Sequence, residues 1–133
     1  MHTKLLMNVS AAVMAVVGVA ATFAPREMLE RSGAHAELPA VLLVQILGAV
    51  YLGFAMLNWM ARENLIGGIY SRPVGLGNFF HFAIAGVALL KMVLNGSGRN
   101  AAIIAAAVIY SALATWFGAV VFTHPTAKTQ SAE

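Results

Sequence analysis

Four long apolar runs constrain the fold of this chain more than any other feature of its sequence. Each run holds about 20 residues, and at about 1.5 Å of rise per residue a helix of that length spans the roughly 30 Å hydrocarbon core of a bilayer. Every glutamate lies outside these runs, and the chain contains no aspartate. The runs cover residues 5–24, 38–60, 74–94 and 101–122. The sequence therefore predicts an all-α membrane protein in which four transmembrane helices form an antiparallel bundle over residues 1–123, followed by a polar tail over 124–133.

The composition excludes several other classes of protein. Only 10% of the residues are charged and 60% are apolar, whereas a soluble domain carries roughly 25% charged residues. The lysines and arginines flank the runs, as topology and headgroup anchors do, and form no basic stripe for nucleic acid. Cysteine is absent, which excludes disulfides, thiolate metal sites and thiol catalysis. Because no phosphate loop, carboxylate pair or nucleophile triad occurs either, the sequence favours a role other than that of an enzyme.

The connections between the runs carry local signals. Glu27 and Arg31 are one helical turn apart, so the sequence predicts a short interfacial helix over Pro25–Arg31 that stops at Gly33. Residues 95–100, Asn-Gly-Ser-Gly-Arg-Asn, predict a tight turn that makes the third and fourth runs an antiparallel hairpin. The first run exceeds the apolar region of a signal peptide, which is about 7–15 residues long, so we expect it to remain as a helix.

Small residues recur at helix-packing spacing on the first and the fourth run. Between apolar helices in lipid, close packing through small side chains is a main source of association. These two seams therefore predict tight helix contacts, either within the chain or between copies of it. The first seam is Ala11, Ala15, Gly18 and Thr22, and the second is Ala107, Ser111, Ala114 and Gly118.

Polar residues within the runs converge on one end of the expected bundle. Tyr51, Asn58 and Arg62 share one face of the second run at 100° per residue, and Asn78 and His81 share a face of the third. Both stripes reach the same membrane side. The first run adds Lys4 and Asn8 there, and the fourth adds Thr115 and Trp116. Polar groups at membrane depth are expensive, so this convergence indicates either a binding site or a packing device.

His81 is the strongest candidate for a functional residue in that cluster, and two hypotheses explain its position. Its imidazole could ligate the metal of a tetrapyrrole, relay a proton or bind a quinone carbonyl. Asn78, Asn58, Arg62 and Tyr51 would complete the ligand-binding site. Alternatively, its ring nitrogens hydrogen-bond Asn58, Tyr51 or a backbone carbonyl and hold the helices together. Asn58 has the same two interpretations, since it could bridge the second and third runs. The neighbouring Phe79, Phe80 and Phe82 suit either a flat apolar ligand or simple packing.

In its layout the chain resembles the DoxX-like group of small bacterial four-helix membrane proteins. The resemblance covers about residues 5–122 and rests on the span lengths, the short last hairpin and scattered Gly, Asn and Pro positions. It implies a multi-pass protein of the bacterial inner membrane, an accessory subunit near quinone-linked redox enzymes. It transfers no functional residue to this chain.

The leading hypothesis is a non-catalytic accessory or self-associating membrane subunit, whose partners are the lipid bilayer and either further copies or other membrane subunits. The alternative is a binding or redox module for a lipophilic ligand, a quinone or a tetrapyrrole, at His81. The flanking cations divide equally between the two membrane sides, and the free amino terminus favours cytoplasmic termini.

Overall fold

Five helices account for the described part of the chain in a computed structural model, which covers residues 3–64, 71–96 and 100–123. Four of them are long and apolar enough to cross a membrane, and each begins and ends within two residues of a predicted run. This indicates a multi-pass membrane protein. The predicted polar tail and residues 97–99 of the predicted turn lie outside the described residues. The helices are α1 (Thr3–Phe23), α2 (Pro25–Arg31), α3 (Leu38–Ala61), α4 (Arg72–Leu94) and α5 (Ala101–Phe122).

The short helix α2 confirms that the first connection forms a helix over Pro25–Arg31; its interfacial position stays a prediction. It starts at Pro25, where a proline is tolerated because the first turn needs no backbone donor. It ends at Arg31 and is followed by Gly33, whose φ of +82° lies in the left-handed region that favours glycine. The amide of Ala34 donates to the Leu29 carbonyl at 3.0 Å and that of Gly33 to the Glu30 carbonyl at 3.0 Å, the bond pattern of a Schellman end.

Helix α1 packs mainly against α3, and glycine lets the two backbones approach closely. A Cβ atom placed on Gly18 would lie 3.1 Å from the Gly48 carbonyl oxygen, and one on Gly48 would lie 2.8 Å from the Thr22 backbone nitrogen. Both glycines are buried. The Gly18 and Thr22 end of the first seam therefore packs inside the chain.

Helix α4 packs mainly against α5, again through small residues. A Cβ atom on Gly86 would lie 3.5 Å from the Ser111 nitrogen, and one on Gly118 would lie 3.1 Å from the Phe79 ring. Ala107 is buried at 2% exposure. The second seam thus also serves contacts within the chain, as the first of the two interpretations of these seams expected.

Large side chains from all four long helices form one buried cluster. Phe82 and Phe117 are fully buried, and their rings stack with centroids 5.8 Å apart. Met7 and Met14 of α1 are likewise fully buried. The outward faces remain apolar: Val16 is 71% exposed, as expected of a surface that meets lipid rather than water.

We expect Gly48→Ala to destabilise the fold by about 1–3 kcal/mol, the usual effect of overpacking a tight contact. The added methyl would lie 2.5 Å from the Thr22 hydroxyl oxygen and against its backbone nitrogen. Gly53→Ala on the same helix is the matched control, because nothing lies within 4 Å of its Cβ position. There the change favours helix by up to about 1 kcal/mol. Unfolding in mixed micelles with rising SDS, followed by circular dichroism, measures both. Equal midpoints for the two variants would contradict the close α1–α3 contact.

Candidate functional site

Two asparagines form a reciprocal pair between α3 and α4. Asn58 lies in the last turn of α3 and Asn78 in the second turn of α4. Each side-chain amide donates to the carbonyl oxygen of the other at 2.7 Å. Both residues are fully buried. The prediction that Asn58 bridges these two helices is confirmed.

The remaining donors of this pair are also used. The Asn58 amide donates to the Ser10 hydroxyl of α1 at 3.1 Å, and the Asn78 amide donates to the Val74 carbonyl at 2.9 Å. Ser10 in turn donates to the Met7 carbonyl at 3.0 Å. An asparagine amide has two N–H donors, so neither asparagine keeps one for a ligand. The network joins α1, α3 and α4.

His81 lies among aromatic rings rather than in this amide network. Its ring centroid is 5.0 Å from that of Tyr51 and 5.2 Å from that of Phe82, both edge to face. The Phe54 ring stacks on it at 5.7 Å, and the Tyr110 ring lies 5.8 Å away. The imidazole therefore packs as an aromatic ring, in geometries that such rings favour.

The expected hydrogen bonds of His81 are absent from the described residues. No described residue bonds either ring nitrogen, so the prediction that Asn58, Tyr51 or a backbone carbonyl holds the ring is wrong. The reason is that Asn58 already bonds Asn78 and Ser10. The Nε2 atom of His81 is buried and has no partner, an arrangement that costs free energy unless something else supplies a bond.

Tyr51 finds its partner on α5. The Tyr110 hydroxyl donates to the Tyr51 hydroxyl at 2.9 Å, and both side chains are buried. A buried tyrosine hydroxyl normally takes such a partner. This bond joins α3 to α5, one helix beyond the amide network, so Tyr51 reaches His81 through its ring and not through its hydroxyl.

Arg62 stays at the surface of the molecule. Its guanidinium lies over the Trp59 ring, 3.8 Å from the ring centroid, and donates to the Trp59 carbonyl at 2.8 Å. The expectation that Arg62 joins the site around His81 is therefore not met, because a cation–π contact holds it in place. Lys4 pairs with Glu63 at 2.9 Å and lowers the pKa of that carboxyl by donating a hydrogen bond to it. This pair is exposed and contributes little to stability.

Of the other residues predicted at the polar end of the bundle, some pack against the buried cluster and others are exposed at the surface. Thr115 is exposed and donates to the Ser111 carbonyl at 2.8 Å. Trp116 packs against the buried cluster. Of the three phenylalanines, Phe82 is buried and borders His81, whereas Phe80 is 54% exposed. They do not form one surface for a flat ligand.

Three residues that build the site were not singled out from the sequence: Ser10, Phe54 and Tyr110. Ser10 lies three residues after Met7 and four before Met14, which places its hydroxyl on the buried face of α1. Tyr110 is the one tyrosine of the fourth run, and a tyrosine within an apolar span needs a partner for its hydroxyl. This requirement could have predicted that the Tyr110 hydroxyl bonds a polar group on another run, and in the structure that group is the Tyr51 hydroxyl.

The chemistry open to this cluster is limited. Within 3–64, 71–96 and 100–123, no three residues of the His, Cys, Asp and Glu types come together to hold a metal ion. The Nε2 of His81 is covered, so in this arrangement it has no open position for the metal of a tetrapyrrole. What the cluster does is connect all four long helices through amide, hydroxyl and ring contacts.

We expect Asn58→Leu and Asn78→Leu each to destabilise the fold by about 1–3 kcal/mol, because each leaves a buried amide unpaired. The double variant should lose less than the sum of the two, since no orphaned partner remains. Gln45→Leu, at an exposed position of α3, is the control and should change little. Unfolding in SDS-containing micelles gives all four values. Additive losses would show that the two amides act independently.

Comparison with known proteins gave no match: no family model, no curated protein and no solved structure matches this chain. The resemblance to the DoxX-like group stays a prediction. A function for the chain has therefore to be inferred from its own residues and their geometry.

Proposed function

We propose that this chain is a non-catalytic subunit of the bacterial inner membrane, which associates with further copies of itself or with other membrane subunits. The observation that carries the proposal is the saturated pair of Asn58 and Asn78. Ionisable residues at membrane depth usually mark a substrate path or a reaction centre, whereas asparagines often hydrogen-bond from one helix to another. Here both amides are fully buried, and they donate to each other, to Ser10 of α1 and to the Val74 carbonyl of α4, so they serve assembly of the fold.

The proposed arrangement is an antiparallel bundle with both termini in the cytoplasm. Two contacts between distant residues support the antiparallel arrangement of the helices. Lys4 at the start of α1 pairs with Glu63 just after α3, and Asn100 before α5 donates to the Arg31 carbonyl at the end of α2. Four spans then place both termini on one side. A DoxX-like accessory role is consistent with this architecture.

A groove between α1 and α3 supports association with a partner helix. It has a volume of about 430 Å³. Half of its eight lining residues are alanines, and the rest are larger. The alanines are Ala11, Ala12, Ala15 and Ala55, and the larger residues are Asn8, Leu52, Met56 and Trp59. Small side chains allow a second helix to approach closely in lipid. Asn8 also lines the groove, and its side-chain oxygen has no hydrogen-bond partner.

We expect Ala12→Trp to reduce self-association in liposomes at least severalfold, because the indole would fill the groove. Ala12 is exposed on the chain itself, so the fold should be preserved. Val108→Trp on α5 is the matched control, since Val108 is 62% exposed and lies outside the groove. Subunit counting by single-molecule photobleaching measures the multimer fraction. A wild-type chain that stays monomeric and purifies without a partner would refute the proposal. An equal fall of the multimer fraction in both variants would show that the groove is not the site of association.

A second candidate function is the binding of a lipophilic ligand such as a quinone at His81. One observation favours it: the buried Nε2 of His81 has no partner among the described residues, and four aromatic rings surround the imidazole. A ligand carbonyl could accept a hydrogen bond from that nitrogen. Because this nitrogen is buried, a ligand reaches it only if neighbouring side chains move.

If this second function holds, native mass spectrometry of the wild-type chain in mild detergent shows a bound quinone mass. His81→Phe should lose that mass, since the ring is kept and the nitrogen is removed. His35→Phe, at an exposed histidine in the connection before α3, should keep it. A wild-type chain without any bound mass, or a His81→Phe chain that retains it, would exclude this function.

A further inference from the structure

A cavity of about 320 Å³ lies between α2, α4 and α5, at the other end of the molecule from the asparagine pair. Its size falls in the range of small-molecule sites, about 300–1,000 Å³. Most of its wall is apolar, from Met28, Leu89, Ile103 and Ala106. The polar residues that line it are Arg31, Ser32 and Asn100.

Two of these polar residues are neutral and already make hydrogen bonds within the chain. The Ser32 hydroxyl donates to the Leu29 carbonyl at 2.7 Å. The Asn100 amide donates to the Arg31 carbonyl at 2.7 Å, and its oxygen accepts from the Ala102 nitrogen at 3.0 Å. Neither side chain is therefore the main anchor for a ligand in this cavity.

Within the described part of the chain, Arg31 is the one charged residue of the lining. Glu27 precedes it by one turn on α2, yet among the described residues no carboxylate lies within 4.0 Å of its guanidinium; the ion pairs found there involve Lys4, Arg62 and Glu63. The Arg31 side chain is exposed. An uncompensated cation thus stands beside an apolar cavity, where α2 follows the end of α1.

We propose that this cavity binds one anionic phospholipid, with an acyl chain along the apolar wall and the phosphate at Arg31. Basic pockets between membrane helices take lipid headgroups in this way. A guanidinium matches a phosphate with two parallel hydrogen bonds. Inorganic phosphate would leave the apolar wall uncovered, and a zwitterionic lipid brings no net charge to Arg31. The inference is independent of the self-association proposed above.

The test compares dioleoylphosphatidylglycerol with dioleoylphosphatidylcholine, titrated onto the full chain in mild detergent and followed by native mass spectrometry. We expect the wild-type chain to prefer the anionic lipid by about fivefold, the contribution of one cation near anionic headgroups. Arg31→Gln should remove that preference. Arg26→Gln, which neutralises an exposed cation of the same helix outside the cavity lining, should keep it.

A second variant tests the apolar wall. Ala106→Phe fills the cavity without changing any charge, and it should weaken binding of both lipids. Retention of the preference in Arg31→Gln, or equal loss in Arg26→Gln, would overturn the proposal in favour of diffuse electrostatic attraction. Competition by inorganic phosphate at millimolar concentration would overturn it in favour of a simple anion site. The same spectra report the multimer fraction, so failure of lipid binding remains distinguishable from failure of self-association.

Discussion

Apolar helices in a bilayer gain little from burying one another, because lipid tails are as apolar as leucine. The fold described here depends on how the chain meets that constraint. It does so through two kinds of contact. Glycines let helix backbones touch, and polar side chains hydrogen-bond one another because the hydrocarbon offers them no partner. Gly48 against Thr22 shows the first kind, and Asn58 against Asn78 shows the second.

These two kinds of contact are used at different places. Within the α1–α3 and α4–α5 pairs, small residues bring the helices close together. Between the pairs, the contacts run through longer side chains: the two asparagines, and the hydroxyl bond from Tyr110 to Tyr51. Hydrogen bonds inside membranes are worth about 0.6 kcal/mol each on average. Their larger effect is on specificity, since an amide that slips by one turn loses its partner.

The sequence predicted the helices well, because apolar length and breaking residues act locally. The short helix at Pro25 and its end before Gly33 followed from neighbouring residues alone. The site was only partly predictable. Asn58 and Asn78 could be paired, since both are polar, both lie within apolar runs and both reach the same end. The position of Arg62 could not be foreseen, because its choice of Trp59 over the interior depends on side-chain geometry. The lack of a bond between His81 and Asn58 could not be foreseen either, because the Asn58 amide donates to Ser10 and Asn78 instead.

The bond from Asn100 to the Arg31 carbonyl joins positions 69 residues apart. When a chain enters the membrane in order of synthesis, the first connection and its short helix emerge long before the residue that fastens them. The end of α2 thus gains its last backbone partner only when α5 arrives. The bond at the end of α2 therefore forms only after the final helix has been inserted. A chain truncated before residue 100 would lack this bond.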